Sequence, residues 1–201
     1  MTKTIGITGG IASGKTTISK FLKTKRFAVH DSDLVVRQLY LKPNKVFLNY
    51  LKKIKLTHAI KKNKINKALI REEIFNNKTK KKKLEKFIHA EVRKSRNKFL
   101  LKHKKKKTKL IILDIPLLFE ARLNKICDYI FLLYLPKKTK IQRAMKRKGM
   151  KRKILLKIIE SQLSDAYKRK KSDIVINTSR PKKETFKMIL KSINNIIKSN
   201  A

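Results

Sequence analysis

The residues with the plainest chemical purpose stand at the start of the chain, in TIGITGGIASGKTTI, where four of its five glycines fall between Gly6 and Gly14. The run from Gly9 to Thr16 fits G-x-x-x-x-G-K-[ST], the pattern of a loop that cradles an oligophosphate. Consecutive backbone N–H groups from Gly10, Ile11, Ala12, Ser13 and Gly14 through Lys15, Thr16 and Thr17 form a nest for the anion, and the helix that begins there adds partial positive charge. Side chains at Gly9 and Gly14 would obstruct that approach. Lys15 would reach the β and γ phosphates as a point charge, and the Thr16 hydroxyl would ligate a Mg²⁺ bridging phosphate oxygens. The bland alternative is a glycine-rich turn with a chance lysine, and the pattern alone does not separate GTPase, ATPase and kinase.

Two further sets of polar residues have the right types for phosphoryl transfer. Asp31 and Asp33 close a short apolar run, where a carboxylate in an open α/β sheet meets ligand, or else caps the next helix together with Ser32. Asp114 ends the apolar run LIILD as an acid that holds the Mg²⁺ shell, or bonds to loop amides instead. Arg143 and Arg147, at i and i+4, share a helix face and could meet ATP phosphates, against the alternative of two solvated charges.

The elements that must position these groups follow from hydrophobic period. Strands are expected around Ile5 and Ile7, over Phe27–His30, Leu110–Ile115, Asp128–Leu135 and Ile174–Ile176. Residues 44–108 have no strand of the parallel-sheet type and spell helices, one marked by Leu69, Ile70, Ile74 and Phe75, a longer one by Leu84, Phe87, Ile88, Val92, Phe99 and Leu100. Lys80–Lys83 and Lys104–Lys107 are expected as solvated segments. Lys137–Arg147 is helical, Gly149 breaks it, and a second helix runs from Ile154 to Ala166. A last helix carries Phe186, Ile189, Leu190, Ile193, Ile196 and Ile197. Strands alternating with helices specify a parallel sheet covered on both faces.

Composition bounds the rest. At 201 residues the chain builds one substantial core, and no apolar run approaches the ~18–20 residues that span a bilayer, so no membrane partner is expected. A single cysteine, Cys127, excludes an internal disulfide framework, fits a reducing cytoplasm, and is expected as a small buried residue opening a strand. The formal charge of +43 invites a nucleic-acid reading, but only 11 of the 56 basic residues are Arg, and the lysines spread over nearly every helix. That pattern is expected of an AT-rich coding sequence, with no specific nucleic-acid partner and a monomer or weak homo-oligomer. With the apolar first strand running straight into the phosphate loop, no signal peptide is expected.

The segments TGGIASGKT, DSDLVVRQ, LIREEIF, FIHAEVR, DIPLLFE, QRAMKR, the Ser161-Gln162 pair and the VIN run ending at Asn177, in this order, resemble dephospho-CoA kinase over nearly the whole chain. The resemblance implies a three-layer P-loop nucleotide-kinase fold, α/β with a five-stranded parallel sheet. Its core is about 1–43, 108–138 and 171–201, its helical acceptor-binding insertion about 44–107, and its helical lid about 139–170. It implies transfer of the ATP γ-phosphoryl group to the ribose 3′-hydroxyl of dephospho-CoA, with Asp33 as the catalytic acidic residue, a carboxylate that accepts the hydroxyl proton, beside Lys15 and a lid arginine, Arg143. Arg147 and the Asn177 region then serve the nucleotide. On the acceptor side, Arg37 neutralises Asp33 or reaches a substrate phosphate, or forms an intrahelical pair. Arg71 meets a diphosphate or caps its helix. His89 lines the acceptor pocket or packs in the core, and Leu117 and Leu118, with Phe119, form an apolar wall or ordinary core.

The chain departs from the family pattern at Ala12, where a glycine is usual and a negative φ would be needed, at Ala90, and at Thr178-Ser179. Rival readings are another nucleoside or nucleotide kinase and a basic nucleic-acid-binding protein with a vestigial loop.

Overall fold

The computed structural model describes residues 1–199, which divide into two compact units, 1–31 with 102–199, and Ser32–Leu101. The first unit carries a five-stranded parallel sheet of β1 (Lys3–Thr8), β2 (Ala28–Asp31), β5 (Leu110–Asp114), β6 (Tyr129–Tyr134) and β7 (Ile174–Asn177), in the order β2-β5-β1-β6-β7. All five residues of β5 are buried, as a parallel strand covered on both faces requires.

Helices α1 (Lys15–Thr24) and α9 (Lys182–Lys198) supply Ile18, Leu22, Ile189, Ile193 and Ile196 to one cluster with Ile5, Ile7, Ile112, Phe131 and Leu133 of the strands. Each such side chain stabilises by roughly 1.5–3 kcal/mol when fully buried. Phe21 stacks on Phe186 with ring centroids 3.9 Å apart. Two carboxylates close strand entrances: Asp128 Oδ2 accepts from Thr4 N at 2.7 Å and Asp173 Oδ2 from Ile130 N at 2.7 Å.

The region expected as a helical pair after β6 contains three helices, α6 (Lys137–Met145), α7 (Arg152–Glu160) and α8 (Asp165–Lys170). Ala166 belongs to α8, because Ser164 caps a new start by accepting from Tyr167 N at 3.2 Å. Cys127 is only half-buried and precedes β6, at the end of the 3₁₀ turn Leu123–Ile126. Its Sγ fills the space beside Gly6, where a Cβ would come within 2.7 Å of it.

The second unit contains α2 (Ser32–Leu41), α3 (Lys45–Lys53), a small antiparallel hairpin of β3 (Ile60–Lys61) and β4 (Lys64–Ile65), α4 (Lys67–Asn76) and most of α5 (Lys78–Lys105). Its core gathers Phe47, Leu51, Ile54, Leu56, Ala59, Ile70 and Leu84. Asparagines start its helices: Asn44 accepts from Phe47 N at 2.8 Å, Asn66 from Ala68 N at 3.0 Å, and Asn77 from Lys80 N at 2.8 Å. The expected apolar face of α4 is narrower than its sequence suggests, since Phe75 is 86% exposed. Lys80 is not simply solvated: its Nζ pairs with Glu73 Oε2 at 2.6 Å, a contact that holds the Glu73 carboxyl below its ordinary range. Ser32 does not cap α2; it is the first helical residue, buried, and its Oγ has no hydrogen-bond partner.

Helix ends use an unusual residue type. Arg26, Lys55 and Lys107 have φ of 61°, 59° and 51°, the left-handed position that glycine favours after a helix. Each lies inside the six-residue closing bond of that motif, from Phe27 N to Leu22 O, Leu56 N to Leu51 O and Thr108 N to His103 O. Among the described residues no helix is long and apolar enough to cross a membrane.

Candidate active site

The turn between β1 and α1 has the geometry of an anion nest. Ala12 and Gly14 have φ of 61° and 82°, with Ser13 between them outside the left-handed region, an alternation that turns successive N–H groups to one side. The expected negative φ of Ala12 is therefore corrected: the loop forces an alanine into the left-handed region, at a cost of roughly 1–2 kcal/mol. Gly9 admits no side chain, because a Cβ there would come within 2.6 Å of both Leu133 O and Ser13 Oγ. Thr16 and Thr17 are exposed in the first turn of α1, and Ser13 is buried with its Oγ unbonded.

Lys15 and Asp114 are brought together, Nζ to Oδ1 at 3.3 Å. Ser19 Oγ donates to Asp114 Oδ2, and Lys23 Nζ donates to Asp31 Oδ2 at 3.3 Å. Asp31 and Asp114 are register partners on neighbouring strands. One face of α1 therefore presents Lys15, Ser19 and Lys23, at i, i+4 and i+8, to two adjacent carboxylates. Ser19 and Lys23 were legible only through that spacing, which the loop motif does not contain. Burial pushes the Asp114 carboxyl above its ordinary range, opposed by the Lys15 charge and the Ser19 bond, with Asp31 adding to the rise.

Of the other residues of this unit, Lys140 and Gln162 reach the loop. Lys140 of α6 donates to Asp165 Oδ2 at 2.6 Å, and both Lys140 and Gln162 lie against Gly10. Arg143 Nη1 donates to Thr178 O at 2.9 Å, next to Asn177. Asn177 Oδ1 accepts from Ser179 N and Oγ at 2.9 and 2.7 Å, and Arg147 is exposed beyond the end of α6. Leu118 is fully buried and Leu117 is 45% exposed, so the two adjacent leucines face different surroundings. Lys168, 1% exposed, donates to Glu120 Oε1 at 2.7 Å, and Leu163 N donates to the same oxygen at 3.1 Å.

The remaining expected residues belong to the second unit. Asp33 lies in the first turn of α2 and Arg37 one turn on, both exposed. Arg71 lies in the middle of α4, whose cap is Asn66, so it does not cap that helix. His89 is exposed on α5, which removes the packed-histidine alternative.

The family model of dephospho-CoA kinase matches residues 3–184. A dephospho-CoA kinase of Fusobacterium nucleatum is 36% identical over 189 residues, covering 92% of this chain and 94% of the relative. One from Bartonella henselae is 32% identical over 198 residues, covering 98% and 100%. Among solved structures, dephospho-CoA kinase from Campylobacter jejuni superposes with a TM-score of 0.74 at 25% identity, covering 100% of both chains.

Proposed function

Because this chain belongs to the dephospho-CoA kinase family, it is an ATP-using kinase of coenzyme A biosynthesis, and we propose that Asp33, Lys15 and Arg143 divide the chemistry of its reaction. The family match across residues 3–184, with an intact phosphate loop inside it, carries this reading. The reaction moves the ATP γ-phosphoryl group to the ribose 3′-hydroxyl of dephospho-CoA.

A sugar hydroxyl is a poor nucleophile, and an oriented carboxylate that accepts its proton contributes typically ~10²–10⁴-fold. Asp33 is the proposed base. It follows Asp31 by two residues, so extended chain reaches at most ~7 Å from the register partner of Asp114. Lys15 neutralises the β and γ phosphates, and Arg143 meets charge that develops on the transferring group. The nest of residues 10–17 positions the triphosphate, with Arg147 and Asn177 as further nucleotide contacts. Arg37, Arg71, His89, Leu117 and Leu118 are the proposed acceptor-side residues, on the insertion and the DIPLLFE loop.

Thr16 and Asp114 offer a hydroxyl and a carboxylate, hard oxygens that suit Mg²⁺ carried in with the nucleotide. When bound, that ion supplies charge neutralisation between phosphate oxygens. Among the described residues no group of three or more His, Cys, Asp or Glu is placed to hold a metal ion. A cytoplasmic, monomeric or weakly associating enzyme without a specific nucleic-acid partner completes the proposal.

The test is ADP release from Mg-ATP with dephospho-CoA, beside adenosine, AMP and no acceptor, for the wild type, Asp33→Asn and Lys15→Ala. Turnover confined to dephospho-CoA and lost in both variants is expected. Turnover unaffected by Asp33→Asn would remove the base from this scheme.

A further inference from the structure

Lys140 is 5% exposed, and its Nζ is held by Asp165 Oδ2 at 2.6 Å. The same Nζ stands 3.3 Å from the point where a side chain on Gly10 would begin, and Gln162 Oε1 stands 3.2 Å from that point. Helix α6 and the junction before α8 therefore press a full positive charge against the phosphate loop.

That placement adds to positive charge already gathered at the loop. The loop turns N–H groups inward, α1 adds the positive end of its dipole, and Lys15 brings another ammonium. Each lysine has a carboxylate, Asp114 for Lys15 and Asp165 for Lys140, but the two carboxylates differ in surroundings. The Asp114 side chain is 5% exposed, whereas that of Asp165 is 34% exposed. Water can solvate Asp165 when its partner leaves, so this pair can open at small cost.

We propose that Lys140 is a second phosphate-binding lysine, stored on Asp165 and transferred to a β or γ phosphate oxygen when a nucleoside triphosphate fills the loop. The exchange swaps one ion pair for another and breaks no covalent bond. Gly10 is the residue that makes it possible, since any larger residue there would push the ammonium away from the loop. The inference rests on the nucleotide reading of the loop, but Lys140 has no part in the loop motif itself.

Calorimetric titration of ATP and AMP into the wild type, Lys140→Met, Lys140→Arg and Asp165→Asn tests it, with thermal melts checking that each variant folds. Lys140→Met should weaken ATP about tenfold, the size of one charged hydrogen bond, and AMP by less than about twofold. Lys140→Arg should recover most of the loss. Asp165→Asn should tighten ATP several-fold, because the ammonium no longer has a competing carboxylate. If Lys140→Met weakens ATP and AMP alike or neither, or if Asp165→Asn weakens ATP, the second phosphate lysine is refuted while the loop stands. Failure of the wild type to bind ATP would overturn the loop reading and this inference together.

Discussion

Lys15 Nζ stands 3.3 Å from Asp114 Oδ1, and side-chain exposures of 10% and 5% leave the pair almost wholly out of water. Removing one partner of a buried pair leaves an uncompensated charge, so Lys15→Met should cost about 3 kcal/mol near pH 7.5. Burial already raises the folded-state affinity of Asp114 for a proton. A carboxyl raised in this way favours the fold most when protonated, and that contribution is lost as pH rises from its ordinary value through its raised one. Loss of Lys15 raises it further, so the cost of Lys15→Met should shrink at pH 5. Urea unfolding at both pH values reads this, and an equal cost would contradict it.

Ala12, with φ 61°, should be improved by glycine. Relief of about 1–2 kcal/mol of left-handed strain, less the ~0.4–1 kcal/mol by which glycine favours the unfolded chain, leaves a gain of roughly 0.5–1 kcal/mol. In a chain of this size that is a rise of about 1–4 °C in melting temperature. Arg26→Gly, Lys55→Gly and Lys107→Gly should each give a similar rise and combine additively, because they close three separate helices. A melting temperature unchanged in the triple variant would contradict the strain argument.

Lys168 is buried against Glu120, whose Oε1 also accepts from Leu163 N. Lys168→Met alone should cost about 3 kcal/mol, and adding Glu120→Gln should return a measurable part, since the uncompensated charge is then gone. Denaturant midpoints of the two single variants and the double variant provide the cycle. Strict additivity would mean that the pair has no coupling.

His103, whose Nδ1 lies 3.1 Å from Thr108 Oγ1, is held below the ordinary histidine range by burial first and then by Lys102 and Lys106. Its neutral ring contributes stability that is fully present above about pH 6.5 and lost as pH falls through the lowered value. The melting temperature of the wild type should therefore drop between pH 7.5 and 5.5 by more than that of His103→Gln. Parallel curves would assign the drop to other groups.

The net charge of +43 makes self-repulsion a general load on the fold. Raising NaCl from about 50 to about 500 mM shortens the Debye length from roughly 14 Å to about 4 Å and should raise the melting temperature. Mg-ATP should raise it further by mass action. A midpoint indifferent to salt would contradict this load.

The sequence by itself determined the phosphate loop, the five parallel strands and the order of elements, because these depend on local pattern: glycines at fixed spacing, continuous apolar runs, and apolar residues every third or fourth position. It also singled out Lys15 by its place in the loop pattern, and Asp33 and Asp114 as candidates, since carboxylates are scarce in this chain. Element ends were harder to see. Glycine, the usual marker after a helix, is replaced by Arg26, Lys55 and Lys107, and the β3–β4 turn uses Lys62-Asn63 at φ 47° and 60° instead of Asn-Gly. Only the tertiary structure paired Lys140 with Asp165, 25 positions away, and Glu120 with Lys168, 48 away, or aimed Ser19 at Asp114. With a lysine on nearly every turn, no local rule says which ammonium is solvated and which is buried. That choice is made where two elements pack and a charge withdrawn from water must find a carboxylate.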